Sequence, residues 1–285
     1  MIKVVNSIKE TRDIIKSWRD KGYKIGFVPT MGYFHKGHLA LMEEAKRLTD
    51  KVVVSIFVNP TQFGPNEDLA RYPRDLNRDI RLAKNVGVDL IFAPEASDMY
   101  SPDFQTWVNV EKLSQGLCGE FRPGHFRGVA TVVTKLFNIV QPDIAVFGQK
   151  DYQQLLVIKK MVQDLNMPIE IVGHPIVREE DGLAMSSRNT YLSLKERESA
   201  LSLYKALIHA KALIEKGERS SSKIRQEIKE LINSYPLTKL EYIFLGDPDT
   251  LTPYDKTIKH KTLIALAVWV GKTRLIDNSI INIPS

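Results

Sequence analysis

The chain has 285 residues, 43% hydrophobic and 26% charged, which excludes a disordered protein and leaves room for one large core or, as expected here, two domains. Forty Lys and Arg against 34 Asp and Glu give a formal charge of +6, a small surplus that favours anionic partners such as nucleotides without singling out nucleic acid. A single cysteine, Cys118, rules out an intrachain disulfide and reads as a buried thiol, while the longest apolar run, 263–270, is far short of the roughly 18 residues a membrane helix needs. Residues 1–6 are too poor in apolar side chains for a signal peptide, so a cytoplasmic protein without a membrane partner is the expectation.

Taken in order, Ser7 and Glu10 have capping-box spacing, and Ile8, Ile15 and Trp18 follow at helical intervals to a stop near Gly22. A strand over 24–28 runs into Pro29-Thr30-Met31-Gly32-Tyr33-Phe34-His35-Lys36-Gly37-His38, and a helix with the stripe Leu41, Met42, Ala45 and Leu48 runs out of it. His38 lies one turn before that stripe on the same face, which aims it inward. The β-branched run 51–58, without alternation, reads as a parallel strand covered on both faces. A long connection over 59–73, which includes Gly64 and Asn66, leads to a helix over 75–86 and a short strand at 89–92. A further strand is expected at 105–110, then a glycine-punctuated basic stretch from Gly116 to Gly128, a helix through Val129, Val133, Phe137 and Val140, and a strand at 144–147. Gly148-Gln149-Lys150-Asp151 turns into a helix carrying Leu155, Ile158 and Val162, and 169–172 is a strand again. This is the grammar of an α/β doubly wound parallel sheet, in which ligands bind beyond the carboxyl ends of the strands.

After Val177 the grammar changes. Ser193 and Glu196 form a second capping box, two helices follow, then strands at 240–244, 262–270 and 273–281, the last two joined by Gly271-Lys272 as a hairpin. That is a smaller C-terminal α+β domain. The boundary falls between 177 and 192, giving domains over 1–180 and 181–285.

Four separated segments fall where strands end: His35 and His38, Asn59 and Gln62, Lys150 and Asp151, and Met185-Ser186-Ser187-Arg188. A zinc pair at His35 and His38 lacks partners, because the other His are scattered and Cys118 is not spaced to join them. An ordinary helix start is one remaining reading; the favoured one is a phosphate site, with unpartnered helix-start amides, a close approach at Gly37 and two imidazole donors. Lys150 and Asp151 read either as a solvated Lys beside an Asp N-cap or as a phosphate contact beside a ribose contact. Met185 to Arg188 is either an interdomain loop or two hydroxyls and a guanidinium that wrap a triphosphate. Arg122-Pro123-Gly124-His125-Phe126-Arg127-Gly128 is either a solvated surface loop or a lid or wall of an anionic-substrate site, and Phe63 beside Gln62 would add an apolar wall.

Together, Pro29-Thr30-Met31-Gly32-x-x-His35-x-Gly37-His38, Phe57-Val58-Asn59-Pro60-x-Gln62-Phe63, Arg122 through Val129, Gly148-x-Lys150-Asp151-Tyr152-Gln153-Gln154 and Met185 through Asn189 resemble the pantoate–β-alanine ligase family, in order, from about residue 24 to 192. Phe34 stands where many members have Leu. The resemblance implies a Rossmann-like nucleotidyltransferase fold related to class I aminoacyl-tRNA synthetases, with a nucleotide-binding catalytic domain over 1–180 and an α+β lid domain over 181–285, and a two-step reaction. The carboxylate of pantoate attacks the α-phosphate of ATP, with Mg2+, to give an acyl adenylate and pyrophosphate; the amine of β-alanine then displaces AMP. It also implies a homodimer and, residue by residue, an ATP site of Met31, Gly32, Tyr33, Phe34, His35, Lys36, Gly37, His38, Gly148, Gln149, Lys150, Asp151, Val177, Met185, Ser186, Ser187 and Arg188. Gln62 and Gln154 would hold pantoate and Gln62 later β-alanine, with His38 in the proton-donor role and His35, Lys150 and Arg188 as the other catalytic groups. No covalent nucleophile is required: ATP activates the acid, so the protein positions reactants and neutralises charge. A truncated tRNA synthetase is the rival within the superfamily, but no aromatic-plus-basic RNA stripe is present, and no nucleic-acid partner is expected. An ATP-sensing module, which would bind the nucleotide and release no pyrophosphate, is the rival outside enzymes.

Overall fold

The computed structural model of the chain describes residues 2–65 and 67–283; Asn66, in the 59–73 connection, lies outside the described residues, as do 1 and 284–285. The chain divides into two compact units, Met1–Pro175 and Ile176–Ser285. The first runs β1 (Lys3–Val5), α1 (Ile8–Arg19), β2 (Ile25–Thr30), α2 (Lys36–Leu48), β3 (Lys51–Ile56), α3 (Leu76–Asn85), β4 (Leu90–Phe92), α4 (Ala96–Met99), α5 (Leu117–Phe121), α6 (His125–Val140), β5 (Ile144–Gly148), α7 (Tyr152–Asp164) and β6 (Glu170–His174). Its strands pair in parallel in the order β1-β4-β3-β2-β5-β6.

Alternation along these strands feeds two cores. Phe27, Val53, Leu90, Phe92, Ala145 and Phe147 face a cluster completed by α1, α6 and α7. Val28, Val52, Val54, Ile91, Ile144 and Val146 face the other, completed by Met42 and Ala45 of α2 and Ala83 of α3. Because side chains alternate across a strand, a sheet covered on both faces needs apolar residues at every position, which is why 51–56 carries no alternating pattern. From β2 the order runs one way through β3 and β4 and the other way through β5 and β6. This is the doubly wound arrangement expected, and it opens a crevice between β2 and β5.

Several local expectations change. Residues 105–110 form no strand: the Val108 amide donates to Thr131 Oγ1 of α6, and Val108 and Val110 pack on the core beneath it, so this segment lies along a helix instead of a sheet edge. The stretch from Gly116 to Gly128 is not one loop. It contains α5, and α6 starts at His125, with His125, Phe126 and Gly128 buried. The strand β1 is absent from the sequence reading, since three residues carry too little pattern; its pairing with β4 supplies the context. Strand β3 stops at Ile56 and a 3-10 turn, Pro60–Gln62, follows with Asn59 as its cap.

The second unit holds α8 (Leu194–Glu215), α9 (Ser221–Asn233) and an antiparallel sheet β7-β8-β9 of Thr238–Gly246, Lys261–Val270 and Thr273–Asn282. Ser193 and Glu196 form both arms of a capping box at the start of α8. Leu203, Leu207, Ile224, Ile228, Ile264 and Leu266 make its core. Gly271 at φ 55° turns β8 into β9, as the Gly-Lys pair predicts. Residues 187–191, expected as loop, form a 3-10 turn. Among the described residues, no helix is long and apolar enough to cross a membrane.

Candidate functional site

β2 and β5 are parallel neighbours, paired at Gly26–Ile144 and Phe27–Ala145 and unpaired towards their carboxyl ends. Residues 31–35 leave one of them and 149–151 leave the other, so the first and third candidate segments meet at the topological switch point.

His35 caps α2: its Nδ1 accepts from the Gly37 amide at 3.1 Å, while His38 Nδ1 accepts from the His35 amide at 3.3 Å. The two rings stack, with centroids 4.0 Å apart. An Nδ1 that accepts carries no proton, so in both neutral rings the hydrogen sits on Nε2. His38 is half-buried by area, yet its ring is surrounded by protein, with Phe34 at 5.7 Å between centroids. Its pKa lies well below 6.5, first through burial and then through the charges of His35 and Lys150. Lys150 therefore stands close to His38, and at neutral pH His38 is a neutral Nε2–H donor.

The loop before this cap is fixed from α3. Gly32 and Tyr33 both take left-handed backbone, φ 83° and 52°, the second being uncommon for a residue with a Cβ. Asp79, 1% exposed, accepts the Tyr33 and Phe34 amides on Oδ2 and Oδ1 at 2.6 and 2.7 Å. Burial raises its pKa despite the two amides, which favour the charged form. Five amides of the expected anion cradle (Gly32, Tyr33, Phe34, His35 and Gly37) thus already have intramolecular acceptors. The phosphate-site reading narrows accordingly from backbone amides towards the imidazoles and Lys150. Phe34 is wholly buried in the α2–α3 core and backs the His38 ring, Lys36 is exposed, and Met31 reaches the second segment through Gln62.

That second segment is Asn59 to Gln62. Asn59, 1% exposed, donates from Nδ2 to Gln62 Oε1 at 3.1 Å and to the Gly128 carbonyl at 3.2 Å; its Oδ1 accepts from Thr61 Oγ1 at 3.0 Å and Tyr100 OH at 2.9 Å. With Oε1 occupied, Gln62 is oriented so that Nε2 points outward, to Met31 Sδ at 3.3 Å. Asn59 and Tyr100 thus orient a candidate ligand group. The strand-end position of Asn59 is visible in the sequence; Tyr100, 41 residues away, carries no signal there. Arg122 is paired with Glu67 at 2.5 Å and His125 sits inside the first turn of α6, so the segment is not a free surface loop.

At β5, Gly148 and Gln149 lead to Lys150, which is half-buried. Gln149 Nε2 donates to the Gly173 carbonyl of β6. Asp151 is the N-cap residue of α7 by position, but its exposed side chain makes no cap hydrogen bond, so the N-cap reading of this carboxylate fails. Gln153 is buried and ties the Leu113, Gln115 and Gly116 carbonyls to the Cys118 amide. Gln154, next along, is half-buried in the first turn of α7. Cys118 is a buried free thiol, as read from the sequence.

Within the second unit, Val177 and Met185 are brought together: the Met185 amide donates to the Val177 carbonyl at 3.0 Å across a hairpin, with Arg178 bridged to Ala184. Arg178 anchors the hairpin through a two-point pair with Asp277, at 2.7 and 2.9 Å, and lies over the Tyr204 ring. Glu179 accepts from Asn189 Nδ2 and Arg197 Nη2, which holds the far end. Ser186 Oγ accepts the Arg188 amide, Ser187 is buried, and Met185 and Arg188 are half-buried. Among the described residues, no cluster of three or more His, Cys, Asp or Glu side chains could hold a metal ion.

A profile of the Pantoate-beta-alanine ligase family matches residues 3–280. The chain is 55% identical over 282 residues to the pantothenate synthetase of Moorella thermoacetica, covering 99% of both proteins. The crystal structure of pantothenate synthetase from Thermus thermophilus matches with a TM-score of 0.92 at 46% identity, over 98% of this chain and 99% of that one. A pantoate-beta-alanine ligase from Francisella tularensis, solved in complex with beta-gamma ATP and beta-alanine, matches with a TM-score of 0.79 at 36% identity, over 98% of each.

Proposed function

The chain belongs to the pantoate–β-alanine ligase family, and from that membership we infer that it condenses pantoate with β-alanine at the expense of ATP, releasing AMP and pyrophosphate. The observation that supports this chemistry in the molecule itself is the pair of Nε2–H donors, His35 and His38, beside Lys150 at the switch point.

In the first step a pantoate carboxylate oxygen bonds to the α-phosphorus and the bond to the bridging oxygen of pyrophosphate breaks. Negative charge accumulates on the phosphoryl oxygens, and preorganised donors there stabilise the transition state more than the ground state. His38 Nε2–H, His35 Nε2–H and the Lys150 ammonium are our candidates for that work, with Arg188, Ser186 and Ser187 of the second unit on the nucleotide. Because His38 is held neutral, a hydrogen bond is assigned to it in place of outright proton transfer. In the second step the β-alanine nitrogen attacks the acyl carbon, AMP leaves, and the amine gives up a proton. Gln62 Nε2 is our candidate for holding the acid and then the amine, with Gln154 on the acid. Met31, the main chain from Gly32 to His38, Gly148 to Asp151, Val177 and Met185 would complete the nucleotide site. Mg2+ is taken to arrive with ATP as part of the substrate, as hard cations bound chiefly through phosphates do.

We take the first unit as the catalytic domain and the second as the lid, in a cytoplasmic homodimer; a mass of twice the 32.4 kDa chain by light scattering would test the last. The decisive assay measures pyrophosphate and AMP release with ATP, pantoate and β-alanine. Release that depends on all three supports the reading. Release that requires tRNA, or nucleotide binding without pyrophosphate, overturns it.

A further inference from the structure

Gln62 is gripped by its main chain as well as by its side chain. Its carbonyl accepts from His125 Nδ1 at 2.8 Å and from Arg122 Nη2 at 3.3 Å. Arg122 Nη1 lies 3.1 Å from His125 Nε2. A guanidinium has donors only, so Nε2 must accept, the ring hydrogen must sit on Nδ1, and that tautomer alone can donate to Gln62. Arg122 thereby selects the form of His125 that holds the loop. Its Nε and Nη2 go to the two oxygens of Glu67 at 2.7 and 2.5 Å, a fork-to-fork pair that fixes the plane of the guanidinium.

The surroundings keep this arrangement in one state. His125 is 8% exposed, and burial first, then the charge of Arg122, take its pKa down to about 4, so the ring is neutral under ordinary conditions. Burial alone would raise the Glu67 carboxyl, but hydrogen bonds from Arg122 outweigh it and hold it below the usual range. Beneath the loop, a Cβ at Gly128 would stand 2.4 Å from the Thr61 oxygen and 2.8 Å from the Gln62 nitrogen, so the first turn of α6 is pressed against this backbone.

We propose that Arg122 and His125, anchored by Glu67, are positioning residues that seat the Gln62 main chain, so that its side-chain amide meets the acid and amine substrates at bonding distance. Neither touches substrate. The proposal rests on the reading of Gln62 given above. Its physical basis is that reacting groups must be placed to a fraction of an ångström, and Gln62 sits on a single 3-10 turn with little regular structure of its own.

Steady-state kinetics on the full-length enzyme, each of the three substrates varied in turn, test it with Gln62→Ala, His125→Phe, His125→Asn and Glu67→Gln. His125→Phe keeps a ring and loses the donor; KM for pantoate and for β-alanine is expected to rise about 10- to 100-fold, with KM for ATP within about two-fold of wild type. His125→Asn, whose Nδ2 can replace Nδ1 as donor, should recover most of that loss. Glu67→Gln alters one atom at the edge of the cluster, should raise the same two constants less, and carries the test if His125→Phe does not fold. Equal losses for all three substrates, or no recovery in His125→Asn, would reduce the cluster to a stabilising role and overturn the proposal. If Gln62→Ala raises the two constants and neither His125→Phe nor Glu67→Gln does, the proposal falls alone; if Gln62→Ala itself has no effect, the assignment of Gln62 falls and takes the proposal with it.

Discussion

His35 and His38 stack 30° from parallel, and each uses Nδ1 to accept a backbone amide of the same helix start. The cap of α2 and two of the candidate catalytic groups are thus the same side chains. The hydrogen bonds that begin the helix occupy both Nδ1 atoms and so leave the proton of each neutral ring on Nε2.

His38→Ala is expected to slow adenylate formation by about 100-fold or more, as loss of one transition-state donor does. His38→Gln, which can keep a neutral N–H near the same place, should retain more activity than His38→Ala. Pyrophosphate release in single turnovers measures both; equal loss in the two variants would favour a protonated histidine that transfers its proton.

Asp79→Ala leaves the buried Tyr33 and Phe34 amides without their acceptor and frees a loop held at positive φ. A stability loss of about 1–3 kcal/mol is expected, with a larger fall in kcat than in substrate binding, since the His35 cap follows directly. Denaturant melts paired with kinetics would check this, and an unchanged midpoint would show that water replaces the carboxylate.

Stability should fall as the solution is acidified from about 6.5 to about 4, the window set by the unfolded and folded pKa values of His125. The folded ring, buried and beside the Arg122 charge, resists the proton that the unfolded chain accepts, although Glu67 and Asp151 pull the other way, so the stabilisation is complete above the window and gone below it. His38, depressed first by its own burial, adds to the same slope. The His125 share is roughly 3 kcal/mol. Urea melts across this range should slope less in His125→Asn than in wild type.

In the second unit, Asp277 is 2% exposed and Arg178 pairs with both its oxygens. Asp277→Ala strands a partly buried guanidinium and should cost about 3–5 kcal/mol. The same variant should weaken ATP binding if the 177–185 hairpin serves the nucleotide; calorimetric titration with ATP, at a temperature where the variant remains folded, separates the two effects.

Much of this molecule can be read from one-dimensional pattern. The β-branched run of β3, the Ser193–Glu196 box and the Gly271-Lys272 turn each act over a few residues, and each forms where the pattern places it. Residues 105–110 mislead because strand-like composition yields a strand only where a sheet edge is vacant; here α6 offers the partner instead. The segment from Arg122 to Gly128 misleads for a related reason: its glycines and charges resemble a solvated loop, whereas Gly128 marks close packing and Arg122 a buried pair.

The α/β grammar and the segments that leave the strand ends are legible along the chain, because helix period, caps and strand runs are set by neighbours in sequence. The strand order, the switch point it creates and the partners that hold those segments come from three-dimensional packing. Asp79 reaches back 46 residues to Tyr33, and His125 reaches back 63 to the carbonyl of Gln62. No local period encodes such partners. They are chosen when the sheet order brings α3 and α6 beside loops that leave other strands, and burial then makes each unpaired alternative costly.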